Sequence, residues 1–259
     1  MCIIIYKQPQ INLPTRDILD NCWDSNSDGA GILVRRRNDP NRLLISKGYM
    51  NKLDYYKYID SLNLSEDDFI IYHFRIGTSG GIVPEKTHPF PISTDIEDLN
   101  RTGTFYSTSA FIHNGVFGEG TTTLSDTQLY IKDELSQYMK ISELDVRKFI
   151  ITRTAKSCRT ITIDLKENFI FTTGEWVKDH NGLYFSNSTY KPRSKFTYSF
   201  YDNFLCESDK YYQSTRSSNY KTNAYEGSRF KLPSKKADKP VIKKMKREPV
   251  QVTKCNFFK

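Results

Sequence analysis

Met1-Cys2-Ile3-Ile4-Ile5-Tyr6 opens the chain, and what these six residues become decides the rest. Three isoleucines and an aromatic in a row predict a short strand buried on both faces. Such a strand holds the residue ahead of it rigid instead of letting the terminus fray. That residue is a cysteine. With the initiator methionine removed, Cys2 would carry a thiol nucleophile and a free α-amine together. A thiol needs a neighbouring base to become a good nucleophile, and an α-amine, with a pKa of about 7.7–8.0, titrates close to operating pH. One residue then supplies both parts.

The remaining composition bounds the setting of that terminus. A chain of 259 residues suits one substantial domain plus an appendage. With 37% hydrophobic residues and a mean hydropathy of −0.60, part of the chain is predicted to lie outside any core. No run approaches 18 apolar residues, and the first residues lack a basic segment and a small-residue cleavage site, so neither a membrane span nor a secretory signal is expected. The five cysteines (Cys2, Cys22, Cys158, Cys206 and Cys255) are odd in number and show no CxxC spacing. That argues against a zinc site or a disulfide framework and favours a reducing, cytoplasmic compartment. The net charge of +8 is unevenly spread. Residues 228–259 hold 11 of the 38 Lys and Arg against two acids, which leaves 27 basic and 28 acidic residues in the rest. The predicted folded part is near neutral, which excludes a nucleic-acid groove built into the domain itself.

Along the chain, helices are predicted over Pro14–Asn21, Asn51–Leu62, Leu124–Met139 and Glu143–Thr154. Strands are predicted at Gly29–Val34 with Arg42–Ser46 as its mate, at Asp68–Ile76, at Ser109–His113 and at Gly182–Asn187. Cys158–Leu165 and Phe169–Thr173 form a predicted hairpin across Lys166-Glu167-Asn168. From 191 to 227 tyrosine, serine, asparagine and lysine dominate with little periodicity, and 228–259 is a proline-punctuated basic tail expected to be disordered.

Four further segments matter jointly: Tyr72-His73-Phe74-Arg75-Ile76-Gly77-Thr78, Ile112-His113-Asn114-Gly115, Ser125-Asp126-Thr127-Gln128, and the terminal Cys2. Each has an ordinary reading. An arginine at a strand end is commonly a surface charge, Asn-Gly a turn, and an acid after serine a helix start. In their order and spacing, however, they resemble the class II glutamine amidotransferase domain, one of the N-terminal-nucleophile hydrolases. Asp24-Ser25-Asn26-Ser27-Asp28-Gly29-Ala30-Gly31 and His88-Pro89-Phe90 are similar to that family's early glycine segment and mid-domain turn. The resemblance covers roughly Met1 to Asn187, and the domain it implies spans residues 1–190.

The resemblance implies an α+β fold, a four-layer αββα sandwich of two antiparallel sheets, with no metal or organic cofactor. It implies that processed Cys2 attacks the side-chain carboxamide of L-glutamine while its α-amine moves the protons. The Asn114 side chain and the Gly115 backbone N–H match the family's oxyanion hole. Arg75 matches its clamp for the substrate α-carboxylate, Asp126 its acceptor for the α-ammonium, and Thr78 shapes the pocket. His73 and His113 are taken as structural because this chemistry needs no imidazole, and His88 and His180 offer no metal spacing. Ser79 stands where many family members carry a histidine, and no acceptor domain resembling a synthetase follows. The expected product is ammonia, delivered to a separate synthetase partner. Two other functions stay open. One is an amidase or γ-glutamyl peptidase acting on another amide. The other is a non-enzymatic scaffold that grips nucleic acid or an acidic partner through the basic tail.

Overall fold

The computed structural model describes residues 1–77 and 81–192. Their elements belong to one compact unit, Met1–Lys195; the second unit, Phe196–Lys259, lies outside the described residues, as do the tyrosine-rich extension from 193 onward and the basic tail.

The opening isoleucines form strand β1, Ile3–Lys7. It lies inside a seven-stranded antiparallel sheet with β2 (Ala30–Arg36), β3 (Asp39–Tyr49), β4 (Phe69–Phe74), β5 (Gly103–Ser107), β9 (Val177–Lys178) and β10 (Tyr184–Phe185). The order is β5-β3-β2-β4-β1-β10-β9. A second, three-stranded antiparallel sheet has the order β6-β7-β8, from Ser109–Asn114, Arg159–Asp164 and Phe169–Thr173.

Strand periodicity distributes the apolar residues to two faces. Ile3, Ile5, Ile32, Val34, Ile70, Tyr72 and Phe74 pack against Leu19, Cys22 and Trp23 of helix α1 (Arg16–Ser25) and Tyr55, Tyr56 and Ile59 of helix α2 (Lys52–Ser61). Ile4, Leu33, Leu43, Ile45 and Ile71 point the other way, onto Ala110, Ile112, Ile161 and Ile163 of the small sheet. That sheet's far face, with Phe111 and Phe169, meets Tyr130, Ile131, Leu135 and Ile151 on the later helices. The three clusters stack helices, sheet, sheet and helices, an α+β arrangement compatible with a sandwich. β1, β2 and β4 read as continuous apolar runs because both of their faces are covered.

Local chemistry sets the helix ends. Thr15 caps α1, its hydroxyl accepting from Ile18 N–H, so the helix begins after Pro14 instead of at it and runs on to Ser25. Asn51 caps α2 through Leu53 N–H and Asp54 N–H. A short helix α3, Ile96–Asn100, and the edge strand β5 were not foreseen; β5 carries only one buried apolar side chain, Phe105, between exposed Thr104 and Tyr106. The helix expected over Leu124–Met139 is α4 (Asp126–Leu129), a π-helical Tyr130–Leu135 and a closing turn α5 (Ser136–Tyr138). Ser136 Oγ donates to Ile131 O at 2.7 Å, five residues back, where the widened turn places it. Helix α6 spans Leu144–Ala155.

Gly31 of β2 marks where the sheet is pressed closest by a neighbouring segment. A Cβ there would stand 2.1 Å from His88 O and 2.9 Å from Ser46 O, both backbone atoms. Gly31→Ala should therefore destabilise the fold by about 3 kcal/mol, measured as a drop in the urea midpoint; a loss below about 1 kcal/mol would contradict the packing.

Candidate active site

The pairing of β1 with β4 brings the site together. Ile3 lies opposite Phe74 and Ile4 opposite His73, so Cys2 emerges beside Arg75 and Ile76. Cys2 Sγ lies 3.7 Å from Ile76 O. The start of β2 holds the end of β4 from the other side, with Arg75 N–H donating to Gly29 O at 2.7 Å and Asp28 N–H to Arg75 O at 3.0 Å. Asp28 also accepts from Gly77 N–H at 2.8 Å. Ser186, following β10, donates its N–H to Ile4 O and accepts from Ile4 N–H through Oγ at 2.9 Å. Asn187 Nδ2 donates to Cys2 O at 2.7 Å. Asn26, with its amide donating to Ser25 O and accepting from Ile3 N–H, closes the last side of this terminus.

The second sheet supplies the opposite wall. Asn114 ends β6 and is fully buried; its Nδ2 donates to Ser186 Oγ at 2.8 Å, tying the two sheets together, while its Oδ1 has no partner among the described residues. Gly115 follows at φ +156°. A Cβ there would meet Cys158 Sγ at 2.4 Å, so packing beneath the turn demands glycine independently of any substrate. Ser125 and Gln128 form a capping box that starts α4. Asp126, its first residue, accepts from Phe117 N–H and Thr127 N–H at 2.9 and 2.8 Å.

Cys2, Arg75, Gly115 and Asp126 line one cleft, together with Ile76, Lys86, His88, His113, Ser125 and Thr127. The cleft is tight, with about 30 Å3 open to the centre of a water-sized sphere, room for about two waters. Roomier hollows elsewhere, of about 520 and 660 Å3, are bordered by Arg36 and Arg37, which are ion-paired to Asp68 and Asp67, and no cysteine is among the residues lining them. Of the residues singled out in the sequence, Asn114 stands directly behind Gly115 rather than on the lining, and Thr78 lies outside the described residues. Met1 precedes Cys2 and is 65% exposed, so in this chain the α-nitrogen of Cys2 is an amide.

Burial dominates the electrostatics. It pushes the Cys2 thiol up, opposed by the Ile76 carbonyl contact and by the charges of Arg75 and the chain terminus. It pushes the Arg75 guanidinium down, opposed by Cys2, Asp28 and Asp126. Arg75 Nη2 donates to Gly81 O at 2.8 Å. Three imidazoles cluster here, His88 and His113 on the lining and His73 next to them: His73 and His88 stack with centroids 4.3 Å apart, and His113 lies 6.3 Å from His88. Both ring nitrogens of His88, Nδ1 of His73 and Nε2 of His113 lack partners among the described residues. Burial lowers His73 to about 3 and His113 to about 4, and takes His88 well below its ordinary value. The three imidazoles are therefore neutral near pH 7. Sequence reasoning did not place Lys86, His88, His113 or Thr127 on the cleft; only the HPF-like turn hinted at His88. No group of His, Cys, Asp or Glu among the described residues is arranged to hold a metal ion.

Comparison with models of known protein families and with curated proteins finds no match for this chain.

The depressed histidines make stability depend on pH in a definite sense. Unfolded histidines, with pKa values of about 6.5, take protons that the folded ones refuse. Stability is therefore unaffected by them above about 6.5 and falls as pH drops toward the folded values, by about 1.4 kcal/mol per pH unit per histidine. Urea unfolding at pH 7 and pH 4.5 should show this loss, and His73→Asn should flatten the slope by about one histidine's share. An unchanged slope in that variant would contradict the assignment.

Proposed function

We propose that the chain hydrolyses L-glutamine to glutamate and ammonia through a γ-glutamyl thioester on Cys2, after removal of Met1, on an N-terminal-nucleophile fold. The observation that carries this reading is the convergence of Cys2, Arg75, Gly115 and Asp126, from four separate parts of the chain, on one narrow cleft. The exposure of Met1 leaves it accessible to an aminopeptidase, and its removal would free the α-amine beside the thiol.

The chemistry then follows in two halves. The α-amine takes the thiol proton as sulfur bonds to the carboxamide carbon, and the oxygen becomes an oxyanion. Collapse breaks the carbon–nitrogen bond, the α-ammonium returns the proton, and ammonia departs. Water, deprotonated by the same amine, attacks the thioester; sulfur leaves and glutamate is released. Gly115 N–H is the assigned oxyanion donor. Reversing the Asn114 amide would let the Ser186 hydroxyl donate to Oδ1 and turn the NH2 into the position that now lacks a partner, making Asn114 a second donor. The guanidinium of Arg75 and the carboxylate of Asp126 suit the two ionised ends of a free amino acid. Binding requires the cleft side chains to part, since glutamine needs more room than two waters. The ammonia is passed to a separate synthetase.

Purified, processed protein should release glutamate from glutamine, and Cys2→Ala should abolish it. Arg75→Lys and Asp126→Asn should each raise KM about 10- to 100-fold, the loss of one charge-assisted contact. Absence of turnover by wild-type protein whose mass shows Met1 removed, with or without candidate synthetases, would end this reading.

A further inference from the structure

One buried imidazole on the cleft has no role in the chemistry above. His113, in β6, is 2% exposed. Its Nδ1 lies 2.9 Å from Thr127 Oγ1, in the first turn of α4. Its Nε2 is buried and has no partner among the described residues, yet the residue lines the cleft. A Cβ on Gly115 would stand 3.0 Å from this nitrogen, so Nε2 lies alongside the residue whose N–H is assigned to the oxyanion.

Thr127 couples the tautomer of the ring to Asp126. Thr127 has one hydroxyl proton and two acceptors in reach, His113 Nδ1 at 2.9 Å and Asp126 Oδ1 at 3.4 Å. Asp126 Oδ1 already accepts Thr127 N–H at 2.8 Å. With that proton on the nearer and otherwise unpartnered Nδ1, a neutral ring carries its own proton on Nε2; in the reverse relay Nδ1–H donates to Thr127 Oγ1, Thr127 O–H donates to Asp126 Oδ1, and Nε2 is bare. Burial keeps the ring neutral at working pH, with Asp126 pulling weakly the other way. A neutral imidazole N–H, held by packing at a narrow cleft, is a preorganised donor that needs no reorganisation when charge develops.

We propose that His113 is a further hydrogen-bond donor of the site, its Nε2–H oriented by Thr127 and directed at the oxyanion beside Gly115 N–H. The catalytic part of this assignment rests on the glutamine-hydrolysis reading; the tautomer does not. Thr127 is the positioning residue. Asn114, bonded to Ser186, reaches the oxyanion only with its amide reversed, and the ring donor adds to Gly115 N–H in either orientation.

The test combines long-range proton–nitrogen NMR of the 15N-labelled full chain with steady-state glutaminase kinetics. Wild type and Thr127→Ser should show His113 protonated on Nε2, whereas Thr127→Val should shift it toward the Nδ1–H form. His113→Leu should lower kcat about 100-fold with KM within about threefold, the cost of one oxyanion donor. His113→Gln, which offers an amide N–H from a side chain of similar reach, should recover part of that loss, and Thr127→Val should lower kcat with KM held. Urea unfolding of each variant separates lost folding from lost chemistry. An Nδ1–H tautomer in wild type overturns the inference, as does a folded His113→Leu with wild-type kcat, while the hydrolase reading survives both. A processed wild type that releases no glutamate overturns both together.

Discussion

Everything at the cleft depends on the hydrogen bonding of β1 between β4 and β10. That pairing sets Ile3 against Phe74 and Ile5 against both Tyr72 and Phe185, so the residue ahead of the strand can only emerge beside Arg75 and Asn187. A slip of one residue would send the isoleucines to the wrong faces, exchanging those that pack on α1 and α2 with the one that packs on the small sheet. Burial on both faces makes such a slip costly. The Cys2 thiol is therefore positioned by the core and by the Asn187 amide on the Cys2 carbonyl, with Sγ itself making only the weak approach to Ile76 O.

Ser186 extends the same constraint to the second sheet. One hydroxyl oxygen accepts from Ile4 N–H in the large sheet and from the Asn114 amide in the small one. The turn at Gly115 is thus referenced to the backbone that carries Cys2. Asp126 is referenced to it less directly, through Phe117 N–H and through the Thr127–His113 bond to the end of β6. Two sheets, one strand terminus and one helix start converge on a volume that holds little more than solvent.

Burial has a mechanistic consequence. Desolvation is the largest influence on the thiol and outweighs Arg75, so the resting form is the thiol and not a standing thiolate. Under the proposed hydrolysis such a thiol needs its base within the reacting step, the role a free α-amine on Cys2 would fill. The same desolvation discharges His73, His88 and His113. The cleft therefore holds no imidazolium, and its cationic side chains are Arg75 and Lys86.

Where a segment carried its own signal, it was legible in the chain. The apolar runs of β1, β2 and β4 and the capping residues Asn51 and Ser125 act within a few residues, so they are written locally. The Asn114-Gly115 turn and the Cys158–Thr173 hairpin belong to the same class. β5 was not legible, because an edge strand with one buried side chain has almost no apolar pattern. Neither was the π-helical turn at Tyr130–Leu135. The site divides the same way. The sequence alone determined that a cysteine precedes a doubly buried strand and which charged and small residues were candidates to accompany it. Only the tertiary structure decided that Cys2, Arg75, Gly115 and Asp126 share a cleft, that Asn114 is drawn back to Ser186, and that His88, His113 and Thr127 belong there too. Those facts depend on strand order and on contacts between residues tens of positions apart, and side-chain spacing along a chain holds no record of either.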